Sequence, residues 1–358
     1  MSFDTGNDYS SSDDGWQGTS EEELRRIAEG TKSLIKVFGV GGGGCNTINR
    51  LYRERISGID LIACNTDAKH LSKIRANYKI LLGENLTRGL GSGGDPRIGE
   101  AAALESEQEI INYAHGAEVA FVTTGLGGGT GTGSTPIVSK VLKDHGSLTI
   151  GVVTLPFTAE GPIKRRNSLI GLRKLKEASD TVIIIPNDKL GDIAPDMPLE
   201  KGFQFVDEIV VNAIKAVTEI ITKTGLINLD FNDLREVTKN SKEAMIGIGV
   251  SKDPIGTRAI EAVRLAVNSP FLQVDLSTST GVIVNVSGGT DMEVQESNDA
   301  VEEIRKLVSS NTKVILGTRI DPSLEGKIQV TIVAGGVSSL AIKGSDNLNN
   351  NDGIDYIV

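Results

Sequence analysis

The chain has 358 residues, which is long for one domain and predicts two. Its formal net charge of −10 argues against duplex nucleic acid as a partner, because neutralising a phosphate backbone needs clustered lysine and arginine. Apolar residues make up 39% of the sequence and aromatic residues only 4%, so aliphatic side chains must dominate the cores.

The cysteine content and the apolar pattern bear on where the protein works. Cys45 and Cys64 are the only cysteines, too few for a disulfide framework or a zinc site, which indicates a reducing compartment. No apolar run reaches 18 residues, and the first residues are acidic, unlike a signal peptide. We therefore expect a cytoplasmic protein with no direct membrane insertion, which would reach a membrane only through a partner.

The first 32 residues are predicted to be a mostly disordered extension. Residues 1–20 are rich in Ser, Gly and Asp. Such a segment cannot bury enough apolar surface to offset the entropy lost on ordering.

Residues 33–199 are predicted to form one domain in which strands alternate with helices. The apolar runs typical of buried strands are 34–38, 61–64, 78–82, 119–122, 148–153 and 181–185, and helical patterns occupy 97–114 and 161–178. This alternation predicts an α/β fold with a doubly wound parallel sheet. Loops rich in Gly, Asn, Asp and Thr follow the strands, where such a sheet binds its ligand.

The most informative loop runs from Gly125 to Ser134 and contains six glycines, two threonines and a serine. It lies between a predicted buried strand and a helical pattern that begins at Pro136. A glycine loop in this position points backbone N–H groups and a helix N-terminus at an anion, which predicts phosphate binding. The loop is not a P-loop, since no GxxxxGK[ST] occurs in the chain.

An earlier glycine turn supports a rival hypothesis. Gly39, Gly41 and Gly44 fit the GxGxxG pattern, and Asp60 lies about where a ribose-binding acid would follow it. A nicotinamide-dependent oxidoreductase is therefore an alternative, although the sequence offers no convincing proton donor for it.

The rest of the chain has a different pattern. An apolar stripe predicts a long central helix over residues 200–225, which could bridge two domains. Residues 226–342 predict a smaller α+β domain without glycine loops of the ligand-binding type. Residues 343–352 are predicted to be a flexible linker, and the apolar tip 353–358 a docking peptide.

Several motifs resemble, in order, those of FtsZ, the prokaryotic member of the tubulin/FtsZ family, from about Ser33 to Ile342. The GGGTGTG run resembles the tubulin signature, the segments after the earlier strands resemble family nucleotide loops, and the later segment with Glu160 resembles the family's ribose region. The matching segments are Gly39–Asn46, Asn65–Asp67, Arg88–Asp95, Gly127–Gly133 and Thr154–Phe157 with Glu160. The fold implied is a tubulin-like GTPase domain, a long central helix and a second, smaller α+β domain.

The resemblance implies GTP and GDP as ligands, with Mg²⁺ on the phosphates. Asn187 and Asp207 fall where the family reads guanine, and a carboxylate can accept hydrogen bonds from guanine N1–H and its 2-amino group. Asp67 also fits an ordinary helix cap. The residues implied to bind the nucleotide are Gly41, Gly42, Gly43, Asn46, Asn65, Asp67, Gly91, Gly93, Gly94, Gly127, Gly128, Gly129, Thr130, Gly131, Thr132, Gly133, Glu160, Lys164, Asn187 and Asp207.

A separate motif resembles the family's synergy loop and carries Asn228, Asp230 and Asp233. By spacing alone, the two aspartates fit helix capping equally well. The resemblance implies instead that they are catalytic, reaching the nucleotide of the next subunit and positioning the attacking water. Each site would then be completed only in a head-to-tail homopolymer, because such a heterologous interface does not close.

Three positions depart from the family pattern. Lys164 stands where an Arg is common, with Arg165 next to it, so either residue could contact phosphate. Asp95 stands where Asn is frequent. The tip 353–358 is not the usual bacterial peptide, which favours an archaeal member with a SepF-like membrane anchor as the partner of that tip.

The function implied is a polymerisation-dependent GTPase that forms the cell-division ring, in the cytoplasm at the division site. A non-polymerising tubulin-like GTP-binding regulator is the alternative closest to it, and the nicotinamide-dependent oxidoreductase is the more distant one.

Overall fold

The computed structural model describes residues 34–56, 58–193, 196–222, 234–235, 243–269, 272 and 275–337. The predicted extension 1–32, the loop with Asn228, Asp230 and Asp233, and the predicted linker and peptide 343–358 lie outside these residues. Within the described ranges, no helix combines the length and the apolar character needed to cross a membrane.

Ten strands in the described part of the chain form one sheet in the order β3-β2-β1-β4-β5-β6-β7-β10-β8-β9. The strands are β1 Ile35–Val40, β2 Ile59–Asn65, β3 Tyr78–Leu81, β4 Val119–Gly125, β5 Leu148–Leu155, β6 Thr181–Pro186, β7 Glu243–Ser251, β8 Gly281–Gly288, β9 Lys313–Ile320 and β10 Ile328–Gly335.

The helices in the same ranges connect the strands or cover the sheet. They are α1 Gly41–Glu54, α2 Ala68–Lys73, α3 Glu84–Thr87, α4 Pro96–Glu105, α5 Glu107–Ala114, α6 Thr130–Asp144, α7 Pro162–Ala178, α8 Leu190–Ile193, α9 Leu199–Thr222, α10 Arg258–Val267 and α11 Val294–Arg305.

The first six strands confirm the predicted doubly wound parallel sheet. They pair in parallel throughout, in the order 3-2-1-4-5-6. In this order the chain reverses direction across the sheet between β1 and β4, which is where doubly wound folds bind ligands. The carboxyl ends of all six strands lie on one edge, and that edge positions the candidate site.

The remaining four strands form a mixed sheet that belongs to the predicted second domain. β10 is antiparallel to both β7 and β8, and β9 is parallel to β8. A short parallel ladder of two residue pairs, Val182 with Glu243 and Ile183 with Ala244, joins this sheet to β6. The sequence did not predict this join, because two backbone pairs leave no periodic pattern.

Helix α9 packs against both parts of the sheet, as expected for a central helix. Its buried stripe contains Val206, Ile209, Val210, Ala213, Ile214 and Val217. These side chains share one aliphatic cluster with Ile183 of β6, Ile246 of β7 and Ile283 of β8. Burying each large aliphatic side chain stabilises the fold by about 1.5–3 kcal/mol. The shared cluster therefore holds the parallel and the mixed parts of the sheet together.

The single helix predicted over residues 97–114 is wrong, because the chain forms two helices there. These helices, α4 and α5, meet at Ser106. The backbone of Ser106 leaves the helical region, with φ −96° and ψ 14°, and its hydroxyl accepts a hydrogen bond from Gly83 N–H at 2.9 Å. Serine competes for backbone hydrogen bonds in this way, and periodicity alone does not detect it.

A buried ion-pair network holds α10 to α11. Arg258 is 1% exposed; its guanidinium donates to both oxygens of Glu296, at 2.7 and 2.9 Å, and to Asp291 at 2.6 Å. Glu296 is itself 1% exposed, so loss of the arginine would leave a buried carboxylate without its counter-charge.

We predict that Arg258→Ala lowers the free energy of unfolding by about 3–5 kcal/mol, measured by urea denaturation. Arg264→Ala on the same helix is the control: its side chain is 61% exposed, so the loss should be about 0–1 kcal/mol. Equal losses for the two variants would contradict the role of the buried network.

Candidate functional site

The site is built where α1 and α6 begin side by side at the carboxyl ends of β1 and β4. Helix α1 starts at Gly41, directly after β1. A side chain on Gly41 would lie 2.8 Å from the backbone nitrogen of Gly131, in the first turn of α6. The Thr124 hydroxyl fixes this approach by donating to the Val40 carbonyl at 2.8 Å. Two helix N-termini, each with unpaired N–H groups, therefore share one region.

Helix α6 begins at Thr130, not at Pro136 as the sequence predicted. Glycine has low helix propensity, which made the run look like a loop. Packing explains these glycines, because α6 lies tightly against α4. A side chain on Gly133 would overlap the Pro96 carbonyl, and one on Gly131 would overlap the Thr124 hydroxyl. Half of the predicted loop is thus the first turn of a buried helix.

Two glycines at the site have no structural reason to be glycine. Gly42 and Gly128 have no positive φ, and a side chain on either would meet nothing within 4 Å. Gly93 and Gly94 also face open space, although their positive φ values of 61° and 82° require glycine in any case. Open space over bare backbone at two helix N-termini fits a ligand that approaches the N–H groups closely.

Hydroxyl groups connect three of the loops. The Thr130 hydroxyl is 2.6 Å from that of Thr66 and 3.0 Å from that of Ser92. Gly91 N–H donates to the Thr66 carbonyl at 3.1 Å. The segment after β2, the segment before α4 and the N-terminus of α6 therefore form one unit. Thr66 and Ser92 are not among the predicted site residues; their only signal in the sequence is their position inside the Asn65–Asp67 and Arg88–Asp95 motifs.

The residues after β2 are held in place by local bonds. Asn65 is 3% exposed and its amide lies 3.1 Å from His70 Nδ1. The Asp67 carboxylate accepts from His70 N–H at 2.9 Å, so it caps α2 as the simpler interpretation predicted. Asp95 likewise caps α4 and pairs with Arg97 at 2.8 Å, and these hydrogen bonds lower the pKa of Asp95.

The loop between β4 and α6 is fixed by its own chain and by α7. Gly127 N–H donates to the Thr132 hydroxyl at 2.8 Å. A side chain on Gly127 would lie 3.1 Å from the Lys164 carbonyl, which places the start of α7 against this loop. The predicted ligand-binding loop that contains Gly127 is thereby brought together with Lys164.

The segment after β5 organises its charged groups locally. Glu160 accepts from Phe157 N–H and from the Lys164 ammonium, both at 2.9 Å. Arg165 lies 3.5 Å from the Thr158 hydroxyl. Lys164, rather than Arg165, is thus paired with the predicted ribose-region carboxylate.

Two further predicted site residues, Asn187 and Asp207, present hydrogen-bond acceptors. Asn187 is 5% exposed, and its Oδ1 has no hydrogen-bond partner among the described residues. Burial raises the pKa of Asp207 to about 6, against the opposing effect of nearby Arg50. Arg50 fixes α1 to α9 by donating to the Gln204 carbonyl at 2.9 Å. Asn46, which is exposed, lies one turn before Arg50 on α1. An amide oxygen and a carboxylate suit a ligand edge that carries N–H donors.

The geometry argues against the oxidoreductase hypothesis. Asp60 is the second residue of β2, five residues before the carboxyl end at Asn65. At about 3.3 Å per residue, it lies roughly 16 Å from the edge where a ribose would bind. Gly39 and Gly44 are explained by packing, since a side chain on Gly39 would overlap the Gly44 carbonyl.

The structure gives no assignment of metal ligands. In the described part of the chain, no group of three or more His, Cys, Asp and Glu residues could hold a metal ion. Cys45 and Cys64 are both buried and free. Asn228, Asp230 and Asp233 cannot be placed relative to the site, because they fall outside the described residues.

The raised pKa of Asp207 predicts a pH-dependent stability. The folded state holds the proton more tightly than the unfolded chain, whose ordinary value is 3.8. The contribution is therefore fully present below about pH 4 and is lost as the pH rises through 6. We expect the stability of the protein relative to Asp207→Asn to fall by about 1–2 kcal/mol between pH 4 and 7, by urea denaturation.

The control for this pH series is Glu208→Gln, which changes the next residue of α9, whose side chain is 53% exposed. Its stability difference from the unchanged protein should vary little over the same range. A flat difference for Asp207→Asn would contradict the raised pKa.

The chain is similar to known proteins along most of its length. A family model for the Tubulin/FtsZ family GTPase domain matches residues 34–195, and one for the FtsZ family C-terminal domain matches residues 242–338. The cell division protein FtsZ 1 of Pyrococcus abyssi is 49% identical over 323 residues, 90% of this chain and 86% of that protein. FtsZ 1 of Archaeoglobus fulgidus is 47% identical over 339 residues, with coverage of 94% and 92%.

The similarity extends to solved structures. An empty FtsZ dimer from M. jannaschii superposes with a TM-score of 0.83 and 46% identity, covering 88% of this chain and 91% of that one. All three of these proteins are archaeal, in keeping with the predicted archaeal member. On these grounds the chain belongs to the FtsZ branch of the Tubulin/FtsZ family of tubulin-like GTPases.

Proposed function

We propose that the chain binds and hydrolyses GTP at this edge of the sheet and polymerises head-to-tail into filaments of the cell-division ring. One observation carries the proposal: bare backbone at two helix N-termini follows β1 and β4, and the buried, unpaired Asn187 Oδ1 follows β6 at the same edge of the sheet, with the Asp207 carboxylate on α9 as a second acceptor. The first arrangement suits phosphates and the second suits guanine. The relatives' names supply the link to cell division.

The phosphates would lie over the first turns of α1 and α6. The N–H groups of Gly41, Gly42 and Gly43 belong to the first turn of α1, and those of Thr130 and Gly131 to the first turn of α6. Each helix N-terminus carries roughly half a positive charge, which stabilises an anion. Gly93, Gly94 and the loop Gly127–Gly129 would complete the enclosure, and Mg²⁺, when bound, would offset phosphate charge.

The base would be selected by Asn187 and Asp207. An ionised Asp207 accepts from guanine N1–H and the 2-amino group, and the unpaired Asn187 Oδ1 can accept one further N–H. Adenine has no hydrogen on N1 and no 2-amino group, so in the same orientation its binding would leave the Asp207 carboxylate without donors. With a pKa of about 6, Asp207 is mostly ionised at pH 7 and ready to accept.

Hydrolysis would depend on a second copy of the chain. Asp230 and Asp233 of one subunit would orient the attacking water at the nucleotide of the next, with Asn228 beside them, so that catalysis consists of positioning and electrostatics. Such an interface is heterologous and builds open filaments. The M. jannaschii relative, described as a dimer, is consistent with association between copies.

The filament would work in the cytoplasm at the division site. The apolar tip 353–358 would bind a SepF-like membrane anchor, because an apolar peptide on a polar tether suits capture by a partner. The chain itself would not insert into the membrane or bind nucleic acid.

Phosphate binding at α1 can be tested with one methyl group. Gly42→Ala should lower GTP affinity at least about tenfold, because the methyl occupies the space over the N–H groups, while the protein should stay folded, since nothing lies within 4 Å of the added atom. Gly191→Ala is the control, because Gly191 also faces open space on a helix. An unchanged dissociation constant for Gly42→Ala, by titration calorimetry, would exclude this phosphate position.

The role of the second copy can be tested with Asp230→Ala. We expect GTP affinity within about twofold of the original and a turnover at least about 100-fold lower, since only the water-positioning group is lost. Polymers of the variant should persist in GTP instead of disassembling, by pelleting over time. Asp253→Ala, at an exposed aspartate of the second domain, should turn over normally. Normal turnover by Asp230→Ala would rule out the proposed role.

A further inference from the structure

Helix α7 carries an exposed stripe in which apolar and cationic side chains alternate. Ile163, Arg166, Ile170 and Arg173 are spaced three and four residues apart, so they line one face of the helix. Ile163 is 75% exposed and Ile170 49%. The opposite face contains Leu172 and Leu175 and is buried against the domain. A solvent-exposed helix face does not require two large exposed isoleucines that alternate with arginines, so this stripe is a candidate interaction surface.

The charge of α7 is opposite to that of the whole chain. The helix has six basic residues and one acidic residue, a formal net charge of +5 in a chain of −10. Three of its lysines are paired: Lys164 with Glu160, Lys174 with Glu100 and Lys176 with Glu243. Among the described residues, Arg166 and Arg173 have no carboxylate partner. Two of the three α7 arginines therefore lie on the stripe without a carboxylate partner in the described ranges, and the third is Arg165, which lies 3.5 Å from the Thr158 hydroxyl.

The last strand ends beside this helix. Gly336 N–H, just after β10, donates to the Glu243 carbonyl at 3.0 Å. The carboxylate of the same Glu243 accepts from Lys176, in the last turn of α7. Whatever follows Val337 therefore starts next to the carboxyl-terminal end of α7.

The sequence that follows complements the stripe. Residues 344–358 contain Asp346, Asp352 and Asp355 and no lysine or arginine. The tip reads Asp352-Gly-Ile-Asp355-Tyr-Ile-Val358, so two aspartates lie among Ile354, Tyr356 and Ile357. Residues 338–352 can span up to about 50 Å when extended, and the 17 residues of α7 are about 25 Å long. The tip can thus reach the whole stripe within its own chain.

We propose that residues 352–358 dock on the Ile163–Arg173 stripe of α7 in the same chain. Asp352 and Asp355 pair with Arg166 and Arg173, while Ile354, Tyr356 and Ile357 cover Ile163 and Ile170. The contact is intramolecular, so an effective concentration near millimolar supports it even though each pair is weak. A membrane anchor that binds the same tip must first displace it from α7, which makes the contact autoinhibitory. This docking does not depend on GTP hydrolysis.

The test uses a fluorophore on the tip. Cys45 and Cys64 are both buried, so a thiol introduced by Gly353→Cys is labelled selectively with a maleimide dye. Anisotropy is measured on the full chain with GDP, at low and high salt, against the free labelled peptide 344–358. We expect a higher anisotropy for the full chain at low salt, independent of protein concentration, and its loss at high salt because exposed ion pairs are screened.

Charge reversal then locates the contact. Arg166→Glu with Arg173→Glu should lower the anisotropy to the value of the free peptide, and adding Asp352→Lys with Asp355→Lys should restore it. The matched control is Arg53→Glu with Lys252→Glu, two exposed basic residues away from α7, which should leave the anisotropy high. The proposal is overturned if the reversal on α7 has no effect, if the charge swap fails to restore the signal, or if the signal rises with protein concentration, which would place the contact between copies.

Discussion

The structure depends on the close approach of two backbones at the point where the strand order reverses. Gly41 and Gly131 are nearly in contact, so α1 and α6 begin side by side and direct their unpaired N–H groups at one region. A β-carbon on Gly41 would push against Gly131 and separate the helices, and one on Gly131 would overlap the Thr124 hydroxyl. The tight packing of α6 on α4 and the hydroxyl contacts of Thr130 with Thr66 and Ser92 hold the same N-terminus of α6 on its other sides.

Two kinds of glycine therefore occur within one motif. Some, such as Gly131 and Gly133, are required by the packing of the protein itself. Others, such as Gly42 and Gly128, have open space above them, where the proposed ligand would lie. The same division appears among the polar groups, since Asp67 serves the fold as a helix cap whereas the buried Asn187 Oδ1 has no partner among the described residues. The residues whose identity neither packing nor helix capping requires are therefore the best indication of where the proposed ligand would bind.

The sequence predicted the sheet well because its strands are short, continuous aliphatic runs between glycine or polar loops, as in β4 and β6. It misplaced the start of α6, because the tertiary packing of glycines overrides their poor helix propensity. It also missed Thr66 and Ser92, whose role appears only once separate loops meet. The join of β6 to β7 could not be predicted from two backbone pairs. The roles of Asn228, Asp230 and Asp233 stay a prediction, since these residues lie outside the described structure.

In the proposed function, a site formed by one chain becomes catalytic only when a second chain completes it. The most direct measurement is GTP hydrolysis per subunit as a function of protein concentration, with light scattering recorded on the same samples. The account predicts one critical concentration, above which both signals rise together, because catalysis needs the filament junction. Constant hydrolysis per subunit with flat scattering would mean that the monomer has a self-sufficient site, and would contradict the claim.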